Sequence, residues 1–327
     1  QMCIRDRNRA DMLEAVATLK NALARAAALS DKSLPRFEKR GQILPRERLS
    51  RILDPGMPFL ELLNMAGFTI DTEDRDQSIP GCSSIAGIGF VGGARCMVMV
   101  DDSGINAGAM TSFSSRKANR IMDIAREKKL PFIHLVESAG ANLLEYQVEM
   151  WIDGGGVFAR LARHSAAGLP SFVVLHGASA AGGAYMPGMS DYVIGVRGNG
   201  KAYLAGPALL KAATGEEADD AELGGAEMHA TVSGLVEYLA EDDAHGIAIC
   251  RELVDRLEWN RLCPQMPPTH YREPVYDIDE LAGIVPADYR QPYDVREVAA
   301  RIVDDSDILD FKPGYGAATV CMQARVY

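Results

Sequence analysis

The sequence is short of several features that mark large functional classes. Its six cysteines (Cys3, Cys82, Cys96, Cys250, Cys263 and Cys321) are scattered, with no CxxC pair. That spacing fits neither a zinc site nor a disulfide frame, and it reads as reduced thiols in a cytoplasm-like compartment. No run of 18 apolar residues occurs, so no membrane span is expected. Positive charge is in deficit: 34 Lys and Arg stand against 45 Asp and Glu, for a net charge of −11. Such a chain is not expected to bind nucleic acid non-specifically, and an anionic ligand would need a local basic patch. There is no low-complexity tract. The first seven residues are charged and lack the apolar core of a secretory signal. They start with Gln and differ in character from the rest of the chain. Residues 1–7 are therefore read as foreign to the native chain and carry no argument.

What is present is ordinary globular material, 47% hydrophobic and 24% charged over 327 residues, enough for one large or two ordinary domains. Apolar spacing predicts helices over 8–28, 46–53, 116–129, 156–167, 207–213 and 241–257. It predicts strands over 59–62, 65–70, 132–136, 171–176, 192–196 and 201–204. A hairpin is expected over 84–91 and 94–101, turning at Gly92-Gly93. Alternating strands and helices imply a largely parallel sheet covered by helices. The proline-dense stretch 259–274 reads as a linker. After it, 279–283 and 294–303 read as helical and 318–326 as a strand. Residues 275–327 are few for an independent core. The expected organisation is a first domain over 8–265 and the truncated start of a second over 275–327.

The chain is organised around 171–196. Two apolar, β-branched runs flank Gly177-Ala-Ser-Ala-Ala-Gly-Gly-Ala-Tyr-Met-Pro187. A loop of small residues lets a ligand or another backbone approach closely. If Gly183 opens a short helix, free backbone N–H groups converge on one spot, suited to an oxygen that gains negative charge. The same residues also fit a tight strand-to-helix turn that serves packing alone. A phosphate loop would need Lys-Ser or Lys-Thr after the glycine pair, which is missing. Ser179 as a nucleophile, with His176 and Asp191 near in sequence, is a further reading.

Glycine loops recur at the ends of the alternating strands. Ser138-Ala139-Gly140-Ala141-Asn142 follows one strand, and Ala181-Gly182-Gly183-Ala184-Tyr185, with Pro187 and Met189-Ser190-Asp191, follows the next. Lys211-Ala-Ala-Thr-Gly-Glu-Glu217 and Leu223-Gly-Gly-Ala226 come later, then Tyr293-Asp-Val-Arg-Glu-Val298, Ala300-Arg-Ile-Val303 and Phe311-Lys with Tyr315-Gly316. In this order the set resembles the carboxyltransferase (beta) subunit of biotin-dependent acyl-CoA carboxylases. The methylcrotonyl-CoA and geranyl-CoA type is nearest, and the likeness runs from about Gly41 to the end. The sequence departs from the family at Ala139, where Gly is usual, at Leu144, where Pro is usual, and over 102–112. These departures bear on the acyl substrate.

The resemblance implies an α/β fold, a crotonase/ClpP-like spiral of ββα units, with the first domain complete and the second truncated. It implies transfer of a carboxyl group from carboxybiotin to the α- or vinylogous γ-carbon of an acyl-CoA. The base then comes from the cofactor, and the protein supplies donors for the enolate oxygen. Gly182 and Gly183 are expected as one set of donors, with Ala139 and Gly140 in the facing loop. Ser138, Ala141, Ala184, Asn106, Ala107 and Gly108 are expected to line the acyl-CoA path. Arg116, Lys117, Lys128 and Lys129 are candidates for CoA phosphates, or simply a solvated face. Met186 and Met189 read as pocket or core fillers, and His229 as structural.

No Ala-Met-Lys-Met biotinyl motif is present, so biotin is expected on a separate biotin carboxylase/biotin carrier subunit. The resemblance further implies a homo-oligomer, a hexamer of full-length chains. It implies no metal, no nucleic acid and no membrane, and a cytoplasmic site of action (the mitochondrial matrix if eukaryotic). A biotin-dependent decarboxylase, a hydratase or isomerase using Glu145, a serine peptidase and a non-enzymatic scaffold remain as other readings.

Overall fold

The computed structural model describes residues 2–70, 72–142, 148–259, 272–311, 313 and 318–326. Its contacts divide the chain into two compact units. One comprises Ala22–Cys263, and the other joins Gln1–Asn21 to Pro264–Tyr327. Residues 8–21 thus group with the C-terminal segment.

Helix α1 (Met2–Asp31) crosses the division, entering the larger unit at Ala22. The larger unit continues through α2 (Leu34–Lys39), α3 (Pro45–Ile52), β1 (Leu60–Glu61), β2 (Ser84–Val91), β3 (Ala94–Asp101) and α4 (Ser112–Glu127). Then follow β4 (Phe132–Val136), α5 (Val148–Ala166), β5 (Ser171–Leu175), β6 (Ala178–Ala180) and α6 (Tyr185–Gly188). Strands β7 (Tyr192–Val196) and β8 (Lys201–Tyr203) come next. Helices α7 (Pro207–Thr214), α8 (Asp220–Gly224) and α9 (Ala226–Met228), strand β9 (Tyr238–Ala240) and helix α10 (Asp243–Arg256) complete it.

The main sheet has seven strands in the order β1-β2-β3-β4-β5-β7-β9. The first two pairings are antiparallel and the rest parallel. All five residues of β4 and all five of β5 are buried, as expected of parallel strands covered on both faces. Alternate residues serve opposite layers. Val98, Val100, Ile133, Leu135 and Phe172 pack with Leu49 and Ile52 of α3 and Ile247, Cys250 and Val254 of α10. Met97, Met99, Phe132, Val136 and Val173 pack with Ile121 and Met122 of α4 and Val157 and Leu161 of α5. The β2–β3 turn holds Gly92 and Gly93 at φ of 53° and 73°, the left-handed pair a two-residue hairpin favours. Asp54 caps it, accepting from both glycine N–H groups at 3.0 and 2.7 Å.

Several expected elements differ. Residues 65–70 form consecutive turns rather than a strand. Local bonds from Phe68 N to Met65 O and Ile70 N to Gly67 O, with Gly67 and Thr69 left-handed, curl the backbone away from a sheet. Helix α1 starts at Met2 and not at 8.

In the smaller unit the helix expected over 294–303 is confined to α12 (Val295–Ala299). Ser306 Oγ donates to the Ala300 carbonyl at 2.5 Å, just past its end. The strand expected over 318–326 is the short β11 (Cys321–Gln323), paired antiparallel with β10 (Leu309–Phe311). Helix α11 (Leu281–Ile284) fills the segment expected at 279–283. Buried Arg301 ties this unit together through Glu280 at 2.5 Å and Glu297 at 3.0 Å, with the Tyr276 ring 4.9 Å away. The linker read over 259–274 falls mostly on 260–271, outside the described residues, as do Leu144, Glu145, Tyr315 and Gly316.

Candidate active site

Three loops of the larger unit run side by side where strands β3, β4 and β5 end. Residues 106–110 lie along 138–142. Ala139 N donates to Ala107 O at 3.2 Å, Met110 N to Gly140 O at 2.7 Å, and Asn142 N to Met110 O at 2.9 Å. Met110 and Ala141 form a parallel bridge. On the other side Ser138 N donates to Ala178 O at 3.2 Å, and Ala180 N to Ser138 O at 3.1 Å. Strand β6 then pairs with β8 in parallel. The small-residue segments thus form a second, narrow layer of paired backbone.

The structure brings the expected residues of all three loops together. Gly140 (φ 81°) passes under Ala180: a methyl on it would stand 2.7 Å from Ala180 O. A methyl on Gly183 would stand 3.2 Å from both the Cβ and the carbonyl oxygen of Ser138, and one on Gly182 would stand 2.9 Å from Met110 Cε. Ala139 lies outside the left-handed region, so the backbone accepts its methyl group without strain. Its N–H is taken by Ala107 O, and Gly140 N–H by Ser138 Oγ at 3.2 Å. Ser138 Oγ in turn donates to Gly108 O at 2.9 Å. Asn106, Ala107 and Gly108 are all left-handed, at φ of 48°, 54° and 67°. The short helix opens earlier than expected, at Ala181 rather than Gly183, with Ala181 itself at φ 48°. Gly182 and Gly183 therefore lie within its first turn. Ala184 packs against the apolar layer on the α4 and α5 side.

A cavity of about 40 Å³ lies behind the loops, between the sheet and helices α4 and α5. Gly108, Ser138 and Gly183 line it together with Met99, Met110, Met122, Phe132, Leu161 and Met186. Met186 is thus a pocket residue, and Met189 packs with the neighbouring core. Asp101 and His134 also line the cavity, with His134 Nε2 3.0 Å from Asp101 Oδ1.

Beneath the loops is an ion network. Buried Arg48 of α3 stands 2.9 Å from Glu137 Oε2 and 2.9 Å from Asp243 Oδ2. Asp243 Oδ1 holds His176 Nδ1 at 2.8 Å, and Gln42 Nε2 donates to His176 O at 2.7 Å. Glu137 leads directly into the loop 138–142, and His176 into Gly177. Burial, then the charge of Arg48, push the His176 imidazole below its ordinary value. Burial raises the Asp243 carboxyl, but the bond from His176 and the charges of His176 and Arg48 outweigh it and hold it low.

Other sequence candidates separate. Asp191 bonds to Ser171 N and Oγ at 2.8 and 2.7 Å. The carboxylate of His176 is Asp243, and Ser179 Oγ is buried with no partner among the described residues. The candidate Ser179–His176–Asp191 group is not assembled. Lys117 is buried, with Nζ donating to Gly81 O at 3.0 Å and Ser84 O at 2.6 Å, so it is unavailable to a phosphate. Burial depresses its ammonium to about 8. Lys128 and Lys129 are exposed. His229 is bonded through both ring nitrogens, to Ser233 Oγ and Ala202 O. No group of three or more metal-ligating side chains occurs among the described residues, and none of their helices is long and apolar enough to cross a membrane.

Loops of small residues that face one another over an apolar cavity can grip an acyl group by backbone N–H, with no side-chain nucleophile in place. Residues 36–327 match the carboxyl transferase domain, and the chain belongs to that family. The probable biotin-dependent acyl-coenzyme A carboxylase beta2 subunit of Mycobacterium tuberculosis is 46% identical over 296 residues, 90% of this chain and 54% of that protein. The mitochondrial methylcrotonoyl-CoA carboxylase beta chain of Arabidopsis thaliana is 41% identical, over 91% of this chain and 51% of its own. Among solved structures, the beta subunit of Pseudomonas aeruginosa geranyl-CoA carboxylase superposes with a TM-score of 0.89 at 48% identity. It covers 98% of this chain and 59% of that one. Transcarboxylase 12S, solved as a hexamer with methylmalonyl-coenzyme A bound, gives 0.67 at 28% identity, covering 96% and 61%. The fold is thus the crotonase-like α/β fold of carboxyltransferase domains, with a mixed sheet. The chain spans about half the length of the curated relatives it matches.

Proposed function

We propose that the protein is the carboxyltransferase subunit of a biotin-dependent acyl-CoA carboxylase, of the methylcrotonyl-CoA and geranyl-CoA type. The reading rests on one observation: the glycine loops that carry the family likeness pack against one another and contribute Gly108, Ser138 and Gly183 to the lining of one mostly apolar cavity. Carboxybiotin on its carrier would release the carboxyl group, and the ureido nitrogen so freed would take the substrate proton. The chain's part is to hold the acyl thioester and stabilise the enolate oxygen. Gly182 and Gly183 are the donors on this side, and Gly183 lines the cavity. Gly140 is the facing donor, its N–H moving from the neutral Ser138 oxygen to the charged one as charge develops. Charge-assisted hydrogen bonds are about twice as strong as neutral ones. Ala139 shapes this loop, and Ser138, Ala141, Ala184, Asn106, Ala107 and Gly108 line the approach.

In this reading 8–265 is the acyl-CoA domain and 275–327 begins a second carboxyltransferase domain. The family pattern puts the donors for biotin's carbonyl oxygen in the second domain. Biotin comes on a separate carrier subunit. The full-length chains form a homo-oligomer, in keeping with the hexamer assembly of transcarboxylase 12S. The compartment is the cytoplasm, or the mitochondrial matrix in a eukaryote.

The test is a carboxybiotin-coupled assay of the full-length protein with its biotin-bearing partner. Gly182→Pro and Gly183→Pro each remove an N–H. Losing one oxyanion donor costs ~3–4 kcal/mol, so turnover is expected to fall by a factor of hundreds. Near-wild-type carboxylation by both folded variants would remove the donor assignment, and no carboxylation of any acyl-CoA by the wild type would remove the function.

A further inference from the structure

The cavity behind the glycine loops is mostly apolar; Ser83, Ser84, Ser114 and Ser138 bring hydroxyls to its lining, and Asp101 and His134 bring a carboxylate and an imidazole. Met99 of β3 stands in register with His134 of β4, and Asp101, two residues on from Met99, shares its face of the sheet. His134 and Asp101 therefore both meet the cavity, among Met99, Met110, Met122, Phe132 and Met186. Asp101 settles the tautomer of His134. Its Oδ1 lies 3.0 Å from Nε2, and its Oδ2 accepts from Glu137 N at 3.3 Å. A carboxylate can only accept, so in the neutral imidazole the single ring proton sits on Nε2. Nδ1 is then a bare lone pair. The residue is 4% exposed, and Nδ1 has no hydrogen-bond partner among the described residues. Of the hydroxyls in the lining, Ser114 Oγ donates to Thr111 O, Ser138 Oγ to Gly108 O and Ser84 Oγ to Gly81 O.

We propose that this cavity takes an acyl chain carrying a hydroxyl group, which donates its hydrogen bond to His134 Nδ1. The inference rests on the acyl-CoA reading of the site and departs, in the acyl chain alone, from the hydrocarbon methylcrotonyl and geranyl groups that name the relatives. The cavity holds about three water-sized groups, room for a short segment of chain with one polar substituent. A purely hydrocarbon chain would leave a buried acceptor unmet, which is costly. A keto oxygen or a carboxylate presents another acceptor to a lone pair. A hydroxyl supplies the donor. The Asp101–His134 pair thus sets specificity and takes no part in the carboxyl transfer.

The experiment uses the full-length protein with its biotin-bearing partner. Pairs of acyl-CoAs differing by one hydroxyl on the chain, and the matching oxo compounds, are compared by calorimetry and by kcat/KM. The hydroxylated member is expected to be favoured at least tenfold by the wild type. His134→Phe should erase the preference while unsubstituted acyl-CoAs still bind. Asp101→Asn should reverse it toward the oxo compounds. Asn can donate to Nε2 through its amide and still accept from Glu137 N, which moves the ring proton to Nδ1 and makes it a donor. Equal handling of hydroxylated and plain chains by the wild type would overturn the inference, and water would then be the partner of Nδ1. That wild-type ratio decides the matter even if a variant fails to fold. A preference untouched in both folded variants would overturn it as well. Carboxylation without a hydroxyl preference sinks this inference alone, whereas failure to bind any acyl-CoA sinks the functional reading and this with it.

Discussion

Gly140 and Ala180 approach so closely that a methyl group on Gly140 would stand 2.7 Å from the Ala180 carbonyl oxygen. The two loops that meet the cavity are held at that spacing. Gly140→Ala adds the clash and forces alanine to φ 81°. The loops must part by several tenths of an ångström. A 1 Å misplacement in a positioned site costs on the order of a hundredfold in rate. We expect kcat/KM of the full-length enzyme to fall by about that factor while circular dichroism stays unchanged. Wild-type kinetics in a folded Gly140→Ala protein would contradict this.

Ser179 gives the opposite expectation. Its hydroxyl is fully buried and unmet among the described residues. Ser179→Ala removes an unsatisfied polar group, and such a change is close to neutral or stabilising. The melting temperature should hold or rise, and turnover should stay within about twofold. Complete loss of activity with an intact fold would restore Ser179 as a nucleophile.

Arg48 joins Glu137 and Asp243 in a place where neither carboxylate meets solvent. Arg48→Met leaves Glu137 with only the half-exposed Arg40, 3.6 Å away, and Asp243 with no cation but His176, at a cost of ~3–5 kcal/mol. Arg48→Lys should recover less than half of this, because a single ammonium cannot reproduce the guanidinium fork that spans both partners. Denaturant titration of the three proteins checks the order. A lysine variant as stable as the wild type would show that charge alone suffices.

Lys117 sets a pH dependence. Below pH 8 both folded and unfolded chains hold its proton, and the folded chain bears the full cost of burying an ammonium. Between about 8 and the usual 10.5 the folded chain has released the proton and the unfolded chain has not. The unfolded state binds more protons there, so this residue's contribution to stability rises with pH. At 1.36 kcal/mol per unit the gain approaches ~3 kcal/mol. Cys96 and Cys250 are pushed the other way by burial, so the difference between wild type and Lys117→Met isolates the lysine. That difference should grow in favour of the wild type from pH 7 to pH 10, and a flat difference would refute the assignment.

Most of the sheet was legible because parallel strands buried on both faces leave unbroken apolar runs, as in 132–136 and 171–175. The turn series at 65–70 was misread because Phe68 and Ile70 carry strand-like side chains on a backbone curled by Gly67 and Thr69. The glycine loops were legible as motifs, but their pairing was not: no spacing shows that Met110 bridges Ala141. The ionic groups were missed for the same reason. Arg48 reads as one more charge on a basic helix, and Asp243 lies 195 positions away. His134 left the one local hint, an imidazole inside an otherwise apolar strand. Lys117 looked like a surface charge because only the fold reveals that the Gly81 and Ser84 carbonyls close over it.

The shared carboxylate of Asp243 also orders events in time. Arg48, Glu137 and His176 are all synthesised well before it. Until the start of α10 leaves the ribosome, Arg48 has one anion instead of two and His176 has none. Contacts of such long sequence separation form late. The nascent sheet can therefore be complete through β9 while the loops above it are still unset.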